Sequence, residues 1–350
     1  MKKTLAILLV VVLAVALFAG CGTSKPAPSA TPSASAPASA PASTEPSAAP
    51  ETVKTGLAVV TSIAKSADAG EKDGLAQADS LIVAVTVGTD GKIVSCVIDQ
   101  AQTKVSFNAK GELVTALDTA FKTKNELGAE YGMGKASSIG KEWNEQAAAF
   151  AQYVVGKTTD EVKGIAVNEE GVPTAADLTA SVTVHVTDFI DGVQKAVANA
   201  RELGAAAADK LSLGTVTNIA KSKNAAADAD GLAQIYSTYT AITTGTGGVI
   251  TSCIIDASQS NVNFNTSGKI TTDLTVAPQT KNELGDAYGM KKASSIGKEW
   301  NEQAAAFAAY VTGKTAAEVA GIAVSEGYAG DADLKASVTV HITDFLAIIA

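Results

Sequence analysis

The chain contains the same long stretch twice. Asn125 to Ala151 reads NELGAEYGMGKASSIGKEWNEQAAAFA, and Asn282 to Ala308 reads NELGDAYGMKKASSIGKEWNEQAAAFA, identical at 24 of 27 positions. Outside it, Cys96 corresponds to Cys253 and Trp143 to Trp300, and the decapeptide DLTASVTVHV from Asp177 returns as DLKASVTVHI from Asp333. Each copy is roughly 140 residues, the size of a domain with its own core rather than of a solenoid unit. Whatever the first copy folds into, the second must fold into again. The boundaries expected are 53–192 for the first domain, a connecting helix at 193–210, and 211–350 for the second.

Hydrophobic periodicity gives each copy mixed elements. Residues 56–66, 79–88 and 92–99 are rich in Val and Ile and read as strands, with TDGK after Gly88 as the turn of a hairpin. From Ser137, the residues Ile139, Trp143, Gln146, Ala147, Phe150 and Val154 recur at helical spacing until Gly156 stops the helix. Thr158 or Thr159 is placed to cap a short helix. In the decapeptide Val182, Val184 and Val186 alternate with Thr183, His185 and Thr187, the pattern of a half-buried strand. FIDGVQKAVANARELGAAAA, from Phe189, reads as one helix connecting the copies. Strands and helices in uneven order predict an α+β fold.

The amino terminus predicts export. MKKTLAILLVVVLAVALFAGC has two lysines, a short apolar run and small residues before a cysteine. The apolar run is shorter than the ~20 residues of a spanning helix. Leu17-Phe18-Ala19-Gly20-Cys21 resembles the lipobox of bacterial lipoproteins, which implies a signal peptide over 1–20 and a diacylglyceryl group on Cys21. Two acyl chains suffice for stable membrane anchoring. Residues 21–52 are almost wholly Ala, Pro, Ser and Thr after the cysteine, too poor in large apolar groups to fold, and are expected to form a disordered tether.

Charge and motif content remove several function classes. The whole chain has a formal net charge of −9, and the exported part is two units more negative because Lys2 and Lys3 lie in the leader. That balance disfavours nucleic acid as a partner. HExxH, GxSxG, CxxC and P-loop patterns are absent, and two histidines in all cannot build a histidine-rich metal site. Cys96 and Cys253 fall in predicted strands, one per copy, which favours apolar packing over redox pairing. VNEEG at Val167 becomes VSEGY in the second copy and reads as a solvated loop. Tyr131, Met133 and Trp143, with Tyr288, Met290 and Trp300, line either an aromatic cleft or the core; the position of Trp143 on the apolar stripe favours the core.

The decapeptides remain. Asp177 to Thr183 and Asp333 to Thr339 share the spacing of D-x-x-[ST]-G-A-T, the motif at which a flavin transferase attaches FMN to a threonine in covalently flavinylated proteins, among them a component of the sodium-pumping NADH:quinone oxidoreductase. With TKNELG, YGM, SSIGKEWNEQA and GKT, the mature chain resembles the two-domain FMN-binding lipoproteins of Gram-positive extracellular electron transfer. The resemblance implies two covalent FMN groups, on Thr183 and Thr339, with Asp177 and Asp333 read by the transferase. Ser181 and Ser337 stand at the motif's glycine position and Ala180 at its hydroxyl position. His185 and His341, two residues beyond the threonines, are candidates for a place near the flavin. Thr179 has Lys335 as its counterpart, and Thr187 and Thr343 lie too far from the aspartates, so neither pair suits a site used twice. The implied role is electron transfer rather than substrate-specific catalysis. Electrons would arrive from a membrane quinol-linked donor and leave to soluble flavin or ferric iron, on the outer face of the cell membrane. The alternative is a non-redox surface lipoprotein that binds a solute or cell-wall component, or also serves as a peptide-pheromone precursor.

Overall fold

The computed structural model describes residues 51–349. The expected signal peptide, Cys21 and nearly all of the tether lie outside the described residues.

Three long antiparallel strands begin each copy. In the first they are β1 (Thr52–Ser62), β2 (Gly74–Val87) and β3 (Ile93–Phe107). After them come the short α1 (Lys124–Leu127), then α2 (Trp143–Val154), α3 (Thr159–Lys163), α4 (Ala176–Thr179) and α5 (Thr187–Ala198). The strand β4 (Arg201–Ala206) leads into the second copy: β5 (Lys210–Asn218), β6 (Gly231–Thr244), β7 (Ile250–Phe264), α6 (Lys281–Leu284), α7 (Trp300–Val311), α8 (Ala316–Ala320), the hairpin β8 (Val324–Ser325) and β9 (Tyr328–Ala329), α9 (Ala332–Lys335) and α10 (Thr343–Ala347). The sheets run β3-β2-β1-β4 and β5-β6-β7. The fold is α+β.

Strand β2 shows how the layers arise. Its run LIVAVTV from Leu81 is buried on both faces, which is why it reads as continuously apolar. Leu81, Val83, Val85 and Val87 point to a core completed by Trp143 and Phe150 of α2 and Val193 and Ala196 of α5. Ile82 and Ala84 point the other way, against Tyr239, Ala241 and Ile254 of the second sheet. Two sheets therefore pack face to face, each with helices on its outer side.

Each copy has an outer core of its own, as expected, and an inner layer is shared between them. Phe107 and Phe264 stack with centroids 4.1 Å apart and planes 3° apart. Around them Ile63, Val105, Ile219 and Val262 from both copies form one cluster. Gly74 and Gly231 make room for those rings: a Cβ at either would overlap the phenylalanine of its own copy.

Two sequence expectations fail for tertiary reasons. The connecting helix from Phe189 is helical only to Ala198; residues 201–206 form β4, which pairs antiparallel with β1 and covers its edge. Alanine-rich sequence favours helix by only tenths of a kcal/mol per residue, less than pairing an open sheet edge returns. The strand expected over Val182–Thr187 does not form either. Residues 182–186 are an irregular bridge between α4 and α5, paired with no strand among the described residues. Val182 and Val186 are buried as the alternation required, but as anchors of an irregular segment. The helix expected from Ser137 starts at Trp143, and Thr158 caps α3 with a reciprocal bond to Glu161.

Candidate functional site

A buried glutamine holds each decapeptide threonine. Gln146 has no exposed surface, and its Oε1 accepts from the Thr183 backbone N–H at 2.8 Å and from the Thr183 hydroxyl at 3.2 Å. Its Nε2 donates to Ser137 Oγ and to the Lys141 carbonyl, both at 3.1 Å. Gln303 repeats this on Thr339, at 2.7 and 3.1 Å, with Ser294 Oγ and the Lys298 carbonyl as acceptors. An amide with no exposed surface has to satisfy all its hydrogen-bonding groups internally, and here it does so by fixing one hydroxyl. The shared stretch SSIGKEWNEQ is thus the scaffold of the threonine. Within it Glu142 also accepts from the backbone N–H groups of Met133 and Gly134, both at 2.8 Å, tying the preceding loop to the start of α2.

The other sequence candidates are placed unequally. Ser181 and Ser337 turn their hydroxyls back to the carbonyls of Leu178 and Leu334, at 3.2 and 3.3 Å, closing α4 and α9. Asp177 and Asp333 are exposed in the first turns of those helices. Among the described residues neither side chain hydrogen-bonds the threonine. The Tyr153 phenol is raised from its ordinary pKa by burial and by the Asp177 charge beside it. Thr187 and Thr343 open α5 and α10 and border the clefts. His185 and His341 are exposed and border clefts. Gly171 and Gly327, both at positive φ, accept from Val186 and Ile342 through their carbonyls; a Cβ on Gly327 would meet His341 Nδ1 at 2.5 Å. The VNEEG loop is solvated from Val167 to Glu170, as expected, and its Gly171 carbonyl also braces the histidine segment.

One cleft lies beside each threonine segment. The second, about 480 Å³, is bordered by Thr339, Val340 and His341 and by Lys281, Trp300 and Tyr328. The first, about 470 Å³, is bordered by Val184, His185 and Asp188 and by Lys65, Lys124 and Trp143. The tryptophans serve both readings weighed from sequence: each packs in its outer core, 5% and 3% exposed, with an edge on the cleft.

The lysines were not singled out from sequence. Lys281 is 4% exposed, with Nζ 4.6 Å from the Tyr236 ring, 4.5 Å from Tyr288 and 4.7 Å from Trp300, and it donates to the Tyr236 hydroxyl at 2.9 Å. Lys124 lies 4.6 Å from Tyr131 and 4.7 Å from Trp143. Burial lowers Lys281 to about 7 and Lys124 to about 8. Each opens a one-turn helix with a Thr-x-x-Glu capping box, pinned because Asp99 or Asp256 accepts the backbone N–H of Asn125 or Asn282. Burial raises Asp256 to about 6. The available signal was a capping box in TKNELG and a polar residue, Gln146, inside an apolar helical stripe.

Cys96 and Cys253 sit in β3 and β7 against the outer cores, and burial pushes both thiols up to about 12, which makes them poor thiolates. Among the described residues no helix is long and apolar enough to cross a membrane. No family model and no solved structure matches the chain. A chlorophenol reductase of Desulfitobacterium hafniense is 56% identical over 41 residues, a stretch that spans 12% of each chain.

Proposed function

We propose that the chain is a lipid-anchored electron carrier of the extracytoplasmic membrane face, bearing one FMN on Thr183 and another on Thr339. The observation that carries this is the twice-built threonine: a half-buried hydroxyl held by a fully buried glutamine, with a cleft of ligand size bordered by Thr339 itself in the second copy and by the neighbouring Val184 and His185 in the first. The residues fit the group. The hydroxyl can carry a phosphoester. Ammonium and indole donors line both clefts, phenols line the second, and the acidic side chains there are Asp188 in the first and Asp344 in the second. The flavin would supply the redox chemistry, while the protein holds it and sets its surroundings.

The chain's own residues then have distinct tasks. Gln146 and Gln303 accept a hydrogen bond from the threonine hydroxyl, so its oxygen keeps its lone pairs directed away from that contact. Asp177 and Asp333, exposed one helix earlier, are accessible to a flavin transferase. Covalent attachment prevents loss of the cofactor by dilution outside the cell. Electrons would come from a quinol-linked membrane donor and pass to soluble flavin or ferric iron. The test is the absorbance of protein made with an active flavin transferase, recorded after denaturation, with peptide mass spectrometry of both decapeptides. Flavin bands and FMN-sized additions on both peptides are expected. A colourless protein would leave the alternative, a solute-binding lipoprotein using the same clefts. Cys21→Ser should release the protein or leave it unprocessed, and membrane retention with normal processing would exclude the anchor.

A further inference from the structure

The two copies are nearly identical along the scaffold, yet they differ where their clefts are lined. Asp79 of β2 and Tyr236 of β6 occupy equivalent register positions, opposite Gln102 and Gln259 respectively. In the first copy Asp79 pairs with Lys65 at 2.9 Å, and Lys65 borders the cleft. In the second, Tyr236 itself borders the cleft and takes the hydrogen bond of Lys281. The hairpin differs likewise: Val172 follows Gly171, whereas Tyr328 follows Gly327 and packs on His341, with ring centroids 4.1 Å apart and planes at 61°. Tyr328 borders the second cleft, and Val172 does not border the first. On a common backbone that places Lys65 at the first cleft and Lys221 at the second, one cleft thus has two further tyrosines and the other has an aspartate, Asp79, set against its lysine.

We infer that the second cleft is a stacking site for a planar heteroaromatic ring, walled by Tyr236, Tyr328, His341 and Trp300, and that the first cleft is not. In terms of the function proposed above, on which the identity of the ring rests, the isoalloxazine on Thr339 lies against tyrosines, and the one on Thr183 meets no tyrosine, only the edge of Trp143 beside the Lys65–Asp79 pair. Aromatic faces favour offset or edge contact with a flat ring. Lys65, held by Asp79, offers none, and a ring covering it would have to strip water from its exposed ammonium. The two cofactors are then distinguishable. Tyrosine or tryptophan in van der Waals contact quenches flavin emission by donating an electron to the excited ring, so emission reports stacking directly.

The experiment uses the full chain made with a flavin transferase, in Thr183→Val and Thr339→Val forms that each keep one flavin. Flavin emission from the protein loaded only at Thr339 is expected to be several-fold weaker than from that loaded only at Thr183. Tyr328→Val should brighten the former, and Val172→Tyr should dim the latter. Equal emission from the two, or no response to Tyr328→Val, would overturn the stacking site while leaving the flavin proposal standing. A second measurement titrates riboflavin, which lacks the phosphate, into the full chain made without transferase. Quenched binding is expected, weakened by Tyr328→Val and by Tyr236→Asp. If neither threonine ever carries FMN, the flavin proposal falls, and riboflavin binding that depends on both tyrosines still upholds the ring site. Absence of riboflavin binding as well would remove both.

Discussion

The outer and inner halves of this molecule are built on different rules. Each outer core draws only on its own copy: Trp143, Phe150 and Phe189 in one, Trp300, Phe307 and Phe345 in the other, with the edge-to-face pair Trp143–Phe189 repeated as Trp300–Phe345. The inner layer draws on both, through Phe107 on Phe264, Ile82 and Ala84 near Tyr239, and the buried Thr55–Ser252 hydroxyl pair at 2.8 Å. The threonine sites sit on the outer cores. Duplication therefore gives two chemically separate sites on a body that is mechanically one, and the two halves should respond differently to substitution.

The largest effect is expected in the shared layer. Phe264→Ala removes a fully buried ring and half of the stacked pair, a loss of about 3–5 kcal/mol. Because both copies lean on that layer, denaturant unfolding followed by Trp143 and by Trp300 in single-tryptophan backgrounds should shift together. A shift seen by one tryptophan alone would break the comparison.

In an outer core the damage should stay local. Gln146→Ala strands the Thr183 N–H and the Ser137 and Lys141 acceptors, at a cost of about 2–3 kcal/mol. FMN on Thr183 should fall sharply while FMN on Thr339 is kept, as peptide mass spectrometry would show. Equal loss at both threonines would mean that the outer cores are not independent.

The lysines sharpen the comparison through pH. Unfolded, Lys281 keeps its proton up to the ordinary lysine value of 10.5; folded, only to about 7. Between those values the unfolded chain binds more protons, so stability rises with pH across the window. Below about 7 both states are charged, and the burial penalty is felt in full. Lys281→Met should flatten that slope, which amounts to about 2–4 kcal/mol. Lys124, lowered only to about 8, should contribute over a narrower window. Urea unfolding at pH 7 and pH 10 checks both, and an unchanged slope in Lys281→Met would contradict the placement.

The smallest effect concerns a cap present in one copy. Asp331 accepts from the backbone N–H groups of Asp333 and Leu334 at the start of α9, whereas Ala175 at the matching position of α4 caps nothing. Ala175→Asp should stabilise the first copy by about 0.5–1 kcal/mol, and Asp331→Ala should weaken the second by a similar amount. Thermal unfolding of both variants measures this.

Much of the architecture was legible along the chain because it depends on neighbours in sequence. The duplication, the β2–β3 hairpin, the apolar stripe of α2 and the capping of α3 all follow from period and turn chemistry over a few residues. The α+β class follows from the order of those elements. Alternation in the decapeptide marked Val182, Val184 and Val186 as one buried face; Val182 and Val186 are buried, while Val184 is only half-buried. Tertiary structure decided the rest. A strand needs a partner strand, and Val182–Thr187 has none, so the same burial pattern became a bridge. A helix competes with an open sheet edge, and β1 drew residues 201–206 into β4. Nothing local marks Gln146 as the acceptor of a hydroxyl 37 residues away, or Lys281 as the centre of an aromatic box, because those pairings exist only after α2, α6 and their sheets have closed. Sequence named the threonine; packing supplied the group that holds it and the walls of the cleft beside it.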